Sequence, residues 1–323
     1  MTRKLFLIWP LLCSLVPVLA VQAQTYPVKP IKLVVPFSAG GSTDMVARLL
    51  AERMSPLLGQ VMVVENRGGS GGVMGTDAVA KAPADGHTLL MATVSSHGAS
   101  PAIYKKLPYD PVKDFAPITN VMSVPSVLVV HPKLPVKNLK EFIQLAKASP
   151  SKYSYGSPGT GTLGHANVEN FTQLAGIQLL HVPYKGAGPA MNDALAGQVD
   201  ALTDNLPSAL THIQAGRLRA LAVLSPQRSK LLPQVPTYME QGFQDMSEGG
   251  WFGLMAPAVT PPAVVKKIMA AAHKAMQDPV FKERTDALGG LPMANTPEEF
   301  ALQVKAALAR YQAIVKKANI QAE

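Results

Sequence analysis

Cysteine is almost missing from this chain of 323 residues: there is one, Cys13, inside an apolar N-terminal run. Two basic residues precede that run, which covers residues 5–21, and small residues at positions 21 and 23 suit a signal peptidase. We predict a signal peptide over residues 1–23, cleaved near Ala23, and an exported mature chain. A membrane anchor is the alternative, but the run is short and contains two prolines. Without a mature cysteine, disulfides and thiol chemistry are excluded.

Aromatic and charged residues are also scarce, at 6% and 16% of the chain. The formal net charge is +9, and the basic residues are scattered among acids rather than interleaved with aromatics. We therefore predict no nucleic-acid partner. Hydrophobic residues make up 47%, and the length suffices for two ordinary domains. After the N-terminal run, no stretch is long and apolar enough to cross a bilayer.

Patterns that bind metals or nucleotides are absent or incomplete. The seven histidines show no H-E-x-x-H or comparable ligand spacing, so we predict no metal and no cofactor. Residues 159–164 match G-x-G-x-x-G, but the next predicted strand ends in Val182-Pro183-Tyr184-Lys185. A dinucleotide site requires an acid there to hold the ribose, so the pattern does not indicate a nucleotide.

Two glycine-rich loops, far apart in the chain, are present in the same context. Each follows an apolar strand pattern and leads into a helical one. Such a loop leaves free backbone N–H groups at the positive end of a helix dipole, which favours an anion. We expect two lobes to grip one anionic ligand between these loops. The predicted binding residues are Phe37, Ser38, Ala39, Gly40 and Gly41 in the first loop, and Ser157, Gly159, Thr160, Gly161 and Thr162 in the second.

Strand and helix patterns alternate along the chain, which predicts an α/β fold with parallel sheets covered on both faces. The apolar stretch 118–130 is too long for one strand and contains Pro125, so we expect it to leave one sheet and enter another. A strand over residues 251–257 is expected to cross back. These two crossings define a hinge, with lobe 1 formed by residues 24–122 and 247–323 and lobe 2 by residues 123–246.

Other candidate binding residues lie near the ends of predicted strands, each with two interpretations. Asp44, in the first turn of a helix, either complements the dipole or contacts a ligand donor. Asp204 either meets an amino or hydroxyl group of the ligand or makes a hinge hydrogen bond. Lys185 is a counter-charge or a solvated lysine, and His165 is a ligand contact or a structural residue. The remaining candidates are Ser95, Ser96 and Tyr184.

One motif offers an enzymatic alternative. Residues 68–72 match the G-x-S-x-G pattern of serine hydrolases, with Ser70 as the nucleophile. That pattern requires a sharp strand-to-helix turn and a histidine and an acid within reach. Four glycines around one serine match easily by chance, and no acid and histidine stand out as a pair. We expect a flexible loop and no enzyme, with a secreted hydrolase as the alternative.

Several longer stretches of the mature chain form a specific combination. They are YPVKPI at 26–31, VPFSAGG at 35–41, VENR at 64–67, DGHTLL at 85–90, HVPYKG at 181–186, GQVD at 197–200, LRALAV at 218–223 and WFGL at 251–254. Together they resemble the tripartite tricarboxylate transporter receptor family, also called Bug receptors, over nearly the whole mature chain. At residue 87 the chain has histidine where many members have tyrosine.

This resemblance implies a type II periplasmic binding protein that closes by hinge motion on a small carboxylate, held partly through water. It implies ligand contacts at the loops 37–41 and 157–162 and at Asp204. We expect a monomer in the periplasm that delivers its ligand to a large and a small integral membrane subunit. A sensor subunit that binds the same ligand for a signalling protein is an alternative. The family's ligands range from citrate to acidic amino acids and aromatic carboxylates.

Overall fold

The computed structural model describes residues 26–320, and the predicted signal peptide lies outside them. The strands are β1 Ile31–Val35, β2 Met62–Asn66, β3 Thr88–Thr93, β4 Phe115–Val124, β5 Ser126–Val130, β6 Ser154–Ser157, β7 Leu180–Pro183, β8 Ala201–Asn205, β9 Arg219–Leu224, β10 Gly250–Pro257 and β11 Leu291–Pro292. The helices are α1 Ser42–Leu58, α2 Val73–Ala80, α3 Ser100–Ile103, α4 Leu139–Ala148, α5 Leu163–Ala175, α6 Ala187–Ala196, α7 Leu206–Gln214, α8 Pro262–Gln277, α9 Pro279–Ala287 and α10 Pro297–Ala318.

The strands form two sheets, with the orders β11-β4-β10-β3-β1-β2 and β7-β6-β8-β5-β9. The expectation of all-parallel sheets is wrong, because both sheets are mixed. β1 pairs in parallel with β2 and β3, whereas β10 runs antiparallel to both β3 and β4. In the second sheet, β5 runs antiparallel to β8 and β9. The strands that carry the chain from one sheet to the other are among the antiparallel ones. Each of them runs opposite to the parallel strands of the sheet that it joins.

The switch between the sheets occurs at Pro125, as the sequence predicts. β4 belongs to the first sheet and ends at Val124; β5 begins at Ser126 in the second sheet. Proline has no N–H for a sheet ladder, so it suits the point where pairing partners change. β10 returns the chain to the first sheet over residues 250–257, as expected. The lobe boundaries themselves stay a prediction.

Local sequence rules account well for the helix boundaries. The helical pattern over residues 42–58 predicts α1, which ends before Gly59, whose φ of 71° is left-handed and suits glycine. The residues TPEE at 296–299 predict an N-cap, a proline at the first helical position and a capping box. Helix α10 begins in this way: the side chain of Thr296 accepts from the N–H of Glu299, and the Glu299 side chain accepts in return. The pattern of α1 places Leu57 on the buried face, but Leu57 is 36% exposed. No pattern described above predicts α4.

Helix α10 joins the two sheets on one side of the molecule. Phe300 and Tyr311 are buried in one hydrophobic cluster with Leu163 and Ala166 of α5. The hydroxyl of Tyr311 donates to Oδ1 of Asn167 at 3.3 Å. This cluster therefore includes residues of both predicted lobes, and α5 packs against α10 within it. Within residues 26–320, no helix has the length and apolarity needed to cross a membrane.

Candidate functional site

A cavity lies between the two sheets, beyond the ends of β1, β3 and β8. Its volume is about 570 Å³, including space that is open to solvent. Open α/β sheets place ligands at this position. The lining residues are Phe37, Ser38, Gly41, Ser42, Thr43, Asp44, Thr93, Val94, Ser95, Ser126, Pro158, Thr162, Leu163, Gly164, Ala187, Thr203, Asp204, Asn205, Gly250, Trp251 and Phe252.

Four helices begin at this cavity. Gly41, Thr162 and Asn205, the N-cap residues of α1, α5 and α7, line it, and so does Ala187, the first residue of α6. The first N–H groups of a helix have no partner within the helix, and the dipole adds partial positive charge there. The cavity is therefore electrostatically favourable for an anion even without a cationic side chain.

The side chains of the cavity add hydroxyl groups but no cation, and they include the carboxyl groups of Asp44 and Asp204. Among its lining residues there is no lysine, arginine or histidine, while hydroxyl groups come from Ser and Thr residues of both sheets' flanks. One polar chain crosses the cleft: the Ser126 hydroxyl donates to Oδ1 of Asn205 at 3.0 Å, and Nδ2 of Asn205 donates to the Ser42 hydroxyl at 3.1 Å. Asn205 thus connects the β5 crossover with the start of α1.

The first glycine loop is held in place by Asp44. Its carboxylate accepts from the N–H of Gly40 at 3.1 Å, from Nε of Arg48 at 3.1 Å and from Nδ2 of Asn66 at 3.0 Å. Nδ2 of Asn66 also donates to the carbonyl of Phe37. Burial acts to raise the pKa of Asp44, but these hydrogen bonds and the Arg48 charge lower it below its usual value. Asp44 therefore acts first as the anchor of the loop.

We expect Asp44→Ala to lower the free energy of unfolding by about 1.5–3 kcal/mol, the scale of hydrogen bonds to a charged group. The loss arises because Gly40, Arg48 and Asn66 each lose an acceptor. Urea unfolding measures it. Asp77→Ala is the matched control, because Asp77 forms the same i,i+4 pair with exposed Lys81 and should cost well below 1 kcal/mol.

The pH dependence of the Asp44 contribution has a definite sign. Because the folded-state pKa is lowered, the stabilisation is present above the usual carboxyl pKa and is lost as the pH falls through the folded-state pKa. Equal losses in the Asp44→Ala and Asp77→Ala variants would contradict the anchoring role.

The second glycine loop is built differently from the expectation. Three of its amides are already used: Gly159 donates to the Ser157 hydroxyl, Gly161 to Nδ1 of His165, and Thr162 to the carbonyl of Gly159. Two of its carbonyls accept from another segment, where Tyr104 donates to Thr160 at 3.1 Å and Ser100 to Gly161 at 2.9 Å. These three amides are therefore not free as expected, and the loop also serves as a contact surface between the sheets.

Seven of the predicted binding residues line the cavity: Phe37, Ser38, Gly41, Asp44, Ser95, Thr162 and Asp204. The other ten lie outside the lining. Ala39 and Gly40 are exposed in the first loop, and Ser157, Gly159, Thr160 and Gly161 belong to the contact surface just described. Whether any of the seventeen touches a ligand stays a prediction.

The last four of those ten have other partners. Ser96 is fully buried and bonds to Thr93 and to Nδ1 of His97 at 2.9 Å. The ring of His165 stacks on His181 with centroids 4.4 Å apart. The Tyr184 hydroxyl donates to Asp193 at 2.7 Å. Lys185 is exposed, and its carbonyl rather than its ammonium reaches the first loop, accepting from the Ser38 hydroxyl at 2.8 Å. Lys185 is not among the residues that line the cavity, and a counter-charge role for it stays a prediction.

Residues 46–320 match the family described as "Tripartite tricarboxylate transporter family receptor". The chain belongs to this family. It is 38% identical to BugT of Bordetella pertussis over 318 residues, 98% of each chain. The resemblance read from the sequence is confirmed.

Solved structures agree with this assignment. The periplasmic binding protein BugD is 38% identical with a TM-score of 0.89, covering 92% of this chain and all of BugD. An R. palustris protein solved with adipate is 34% identical (TM-score 0.88; 92% and 99% covered). MatC of Rhodopseudomonas palustris, solved with bound malate, is 33% identical (TM-score 0.87; 90% and 100% covered). The receptor has the expected periplasmic binding-protein fold; its family and these neighbours are solute-binding proteins, so it is not an enzyme.

The hydrolase interpretation of residues 68–72 also fails on geometry in this receptor. Ser70 is exposed on a short 3₁₀ turn, with a φ of 47°, and not at a strand-to-helix elbow. Among residues 26–320, no hydrogen bond joins its hydroxyl to a histidine or an acid, and no group of three His, Cys, Asp or Glu side chains could hold a metal. The glycines there instead contact the loop after β7: a Cβ on Gly68 would lie 2.9 Å from the carbonyl oxygen of Lys185.

Some cavity residues were missed by the sequence reasoning. Ser42 and Thr43 directly follow the first loop, Ser126 follows the predicted crossover proline, and Asn205 follows Asp204. Each of these residues is adjacent in sequence to a predicted binding residue or to the predicted crossing, and that adjacency could have identified them. Trp251 is 5% exposed and packs edge-on against Phe300, so it contributes both to the core and to the cavity wall.

Proposed function

We propose that this receptor captures a small carboxylate in the cavity between its sheets and delivers it to a membrane transporter. The single observation that carries the proposal is the convergence of four helix N-termini and several hydroxyls on a cavity without a basic side chain. That donor set suits a carboxylate, which accepts from N–H and O–H groups. The adipate and malate in the two relatives support the same ligand class.

The capture mechanism is closure of two lobes about the crossing strands. Lobe 1 would consist of residues 24–122 and 247–323, and lobe 2 of residues 123–246. Closure brings the first loop of lobe 1 against α6 and the end of β7 in lobe 2, where the N–H and hydroxyl of Ser38 both point to the carbonyl of Lys185. The carboxylate then accepts hydrogen bonds from N–H and O–H groups of the helix starts that line the cavity.

Delivery in the periplasm to a large and a small integral subunit completes the proposal. The description of the family as transporter receptors supports it, and so does the predicted signal peptide over residues 1–23. The receptor would act as a monomer. A sensor role would use the same cavity and differ only in the protein on which the loaded receptor docks.

Thermal unfolding of the mature protein against a panel of mono-, di- and tricarboxylates tests ligand capture. A carboxylate that binds only the folded state should stabilise it by about 2.7 kcal/mol at a hundredfold excess over its Kd. Adipate and malate belong in the panel, with the uncharged diamide of adipic acid as the matched control. Equal stabilisation by the diamide, or no stabilisation by any carboxylate after denaturation and refolding to remove a retained ligand, would contradict the proposal.

A further inference from the structure

Two buried carboxylates line the cavity, and only one of them has a cationic partner. Asp44 pairs with Arg48, whose Nη2 lies 3.0 Å from Oδ1. Asp204 is 4% exposed and forms no ion pair with any residue in the range 26–320. A cavity that takes an anion thus contains an acid without a counter-charge, and bringing a second carboxylate beside an ionised Asp204 would be strongly unfavourable.

The contacts of Asp204 fix its carboxyl group at the cavity wall. It lies near the end of β8, directly before α7, and its neighbour in β5 is Val127. Oδ1 accepts from the N–H of Asn205 at 2.7 Å, and Oδ2 accepts from the Ser208 hydroxyl at 2.5 Å. Both contacts orient the group. Burial raises the pKa of Asp204 to about 6, with these two hydrogen bonds acting in the opposite direction.

The elements packed around Asp204 bring no cation to it. β5 and β6 contribute no charged side chain. In α1, Arg48 and Asp44 bind each other. In α5, His165 stacks on His181, and Glu169 accepts from Tyr155. In α6, Asp193 accepts from Tyr184, and in α7, His212 lies in the last turn beside Arg217, at the end of the helix away from Asp204.

We propose that binding of an anionic carboxylate takes up one proton from solution onto Asp204, which then donates a hydrogen bond to the bound ligand. The new Oδ–H bond forms on Asp204, the buffer loses the proton, and the complex avoids two like charges in one cavity. This inference rests on the proposed function and makes Asp204 the residue that gives ligand binding its dependence on pH.

Proton uptake has a measurable sign and size. Above the pKa of free Asp204, each added pH unit should raise the Kd about tenfold, because binding one proton is linked to binding the ligand. Below that pKa the acid is already protonated, and the Kd should become independent of pH as long as the ligand stays ionised. Binding at pH 7.5 should consume close to one proton per complex.

Isothermal titration with adipate and with malate measures both quantities. Titrations at pH 7.5 in two buffers of different ionisation enthalpy give the proton count, and a series from pH 6.5 to 8.5 gives the slope. Asp204→Asn is the test variant, because an amide is neutral at every pH and still offers a donor. Asp286→Asn, at an exposed position of α9, is the matched control.

We expect uptake near one proton for the wild type and Asp286→Asn, no uptake for Asp204→Asn, and at pH 8.5 tighter binding by Asp204→Asn than by wild type. A residue that is only structural would weaken binding at every pH when changed. Binding by the wild type without proton uptake overturns the inference and leaves the proposed function intact. A further titration with succinate, which lacks the hydroxyl group of malate, gives a second outcome that overturns the inference. If the wild type prefers malate to succinate without proton uptake, and Asp204→Asn removes that preference, then Asp204 is an ionised acceptor for the malate hydroxyl. No binding of any carboxylate overturns both.

Discussion

Gly188→Leu should weaken carboxylate binding at least about a hundredfold without unfolding the protein. The added side chain would overpack the closed form by about 3 kcal/mol, which corresponds to that factor in Kd. Gly188 is the second residue of α6 in lobe 2, and the first loop of lobe 1 lies directly against it. A Cβ built on Gly188 would lie 2.8 Å from the carbonyl oxygen of Ala39. A backbone oxygen cannot rotate away, so a side chain here keeps the lobes apart.

The same substitution should leave the open protein as stable as before or more stable. Replacing glycine within a helix by a good helix former gains up to about 1 kcal/mol, because the unfolded chain loses freedom. Affinity and stability therefore move in opposite directions, which a general folding defect cannot produce. Isothermal titration and thermal unfolding without ligand measure the two effects.

Gly188→Ala gives the graded test, with a loss of affinity of about ten- to a hundredfold expected from 1–3 kcal/mol of overpacking. Asn192→Ala, at an exposed position of the same helix, is the matched control and should bind like wild type. Wild-type affinity in the Gly188→Leu variant would mean that the contact with Ala39 is absent from the ligand-bound form.

The contact between the lobes depends on glycines that sequence patterns cannot assign to it. Gly41 belongs to a predicted anion loop, yet a Cβ there would lie 3.1 Å from Cβ of Ala187. Gly71 has a φ of 64°, and a Cβ there would clash with the carbonyl oxygen of Thr160 in the second loop. A glycine-rich sequence predicts flexibility or a ligand equally well. Only the close approach of a distant backbone shows that these glycines leave room for another segment.

Features that depend on neighbouring residues could be predicted, whereas features that depend on distant ones could not. The bounds of α1, the capping box of α10 and the change of sheet at Pro125 follow from local chemistry and are confirmed. Free amides in the second loop were expected from the same kind of rule. Those of Gly159 and Gly161 are not free, because the Ser157 hydroxyl and His165 accept from them. The partners lie close in the chain, but their direction is set by packing on His181.

Two buried histidines and one half-buried histidine should make the receptor markedly less stable in mild acid. Burial lowers the pKa of His97 to about 3 and that of His165 to about 4. Burial, and then the neighbouring His165, lower the pKa of His181 to about 3. In the unfolded chain an imidazole titrates near 6.5, so below that pH the unfolded state binds more protons and stability falls with falling pH.

Each such histidine loses about 1.4 kcal/mol per pH unit, or about 2 kcal/mol between pH 6.5 and 5. Three together lose about 6 kcal/mol. Asp204 opposes this, because its pKa is raised to about 6 by burial and the folded state takes up its proton below that pH. It returns about 1.4 kcal/mol by pH 5, leaving a net loss of roughly 4–5 kcal/mol. Domains of this kind are stable by about 5–15 kcal/mol in total, so the receptor comes close to unfolding.

Urea unfolding at pH 8.5, 7.5, 6.5, 5.5 and 5.0 measures this loss, and His97→Phe assigns its cause. The ring of His97 lies among Phe115, Tyr109 and Trp251, with centroid distances of 4.8, 6.4 and 6.5 Å, so a phenyl ring suits the site. The variant should reduce the loss below pH 6.5 by about 2 kcal/mol and should not change the slope between pH 7.5 and 8.5, where imidazoles are neutral in both states. An unchanged slope in acid would mean that His97 takes up its proton while folded, which the apolar ring of aromatic side chains around it opposes.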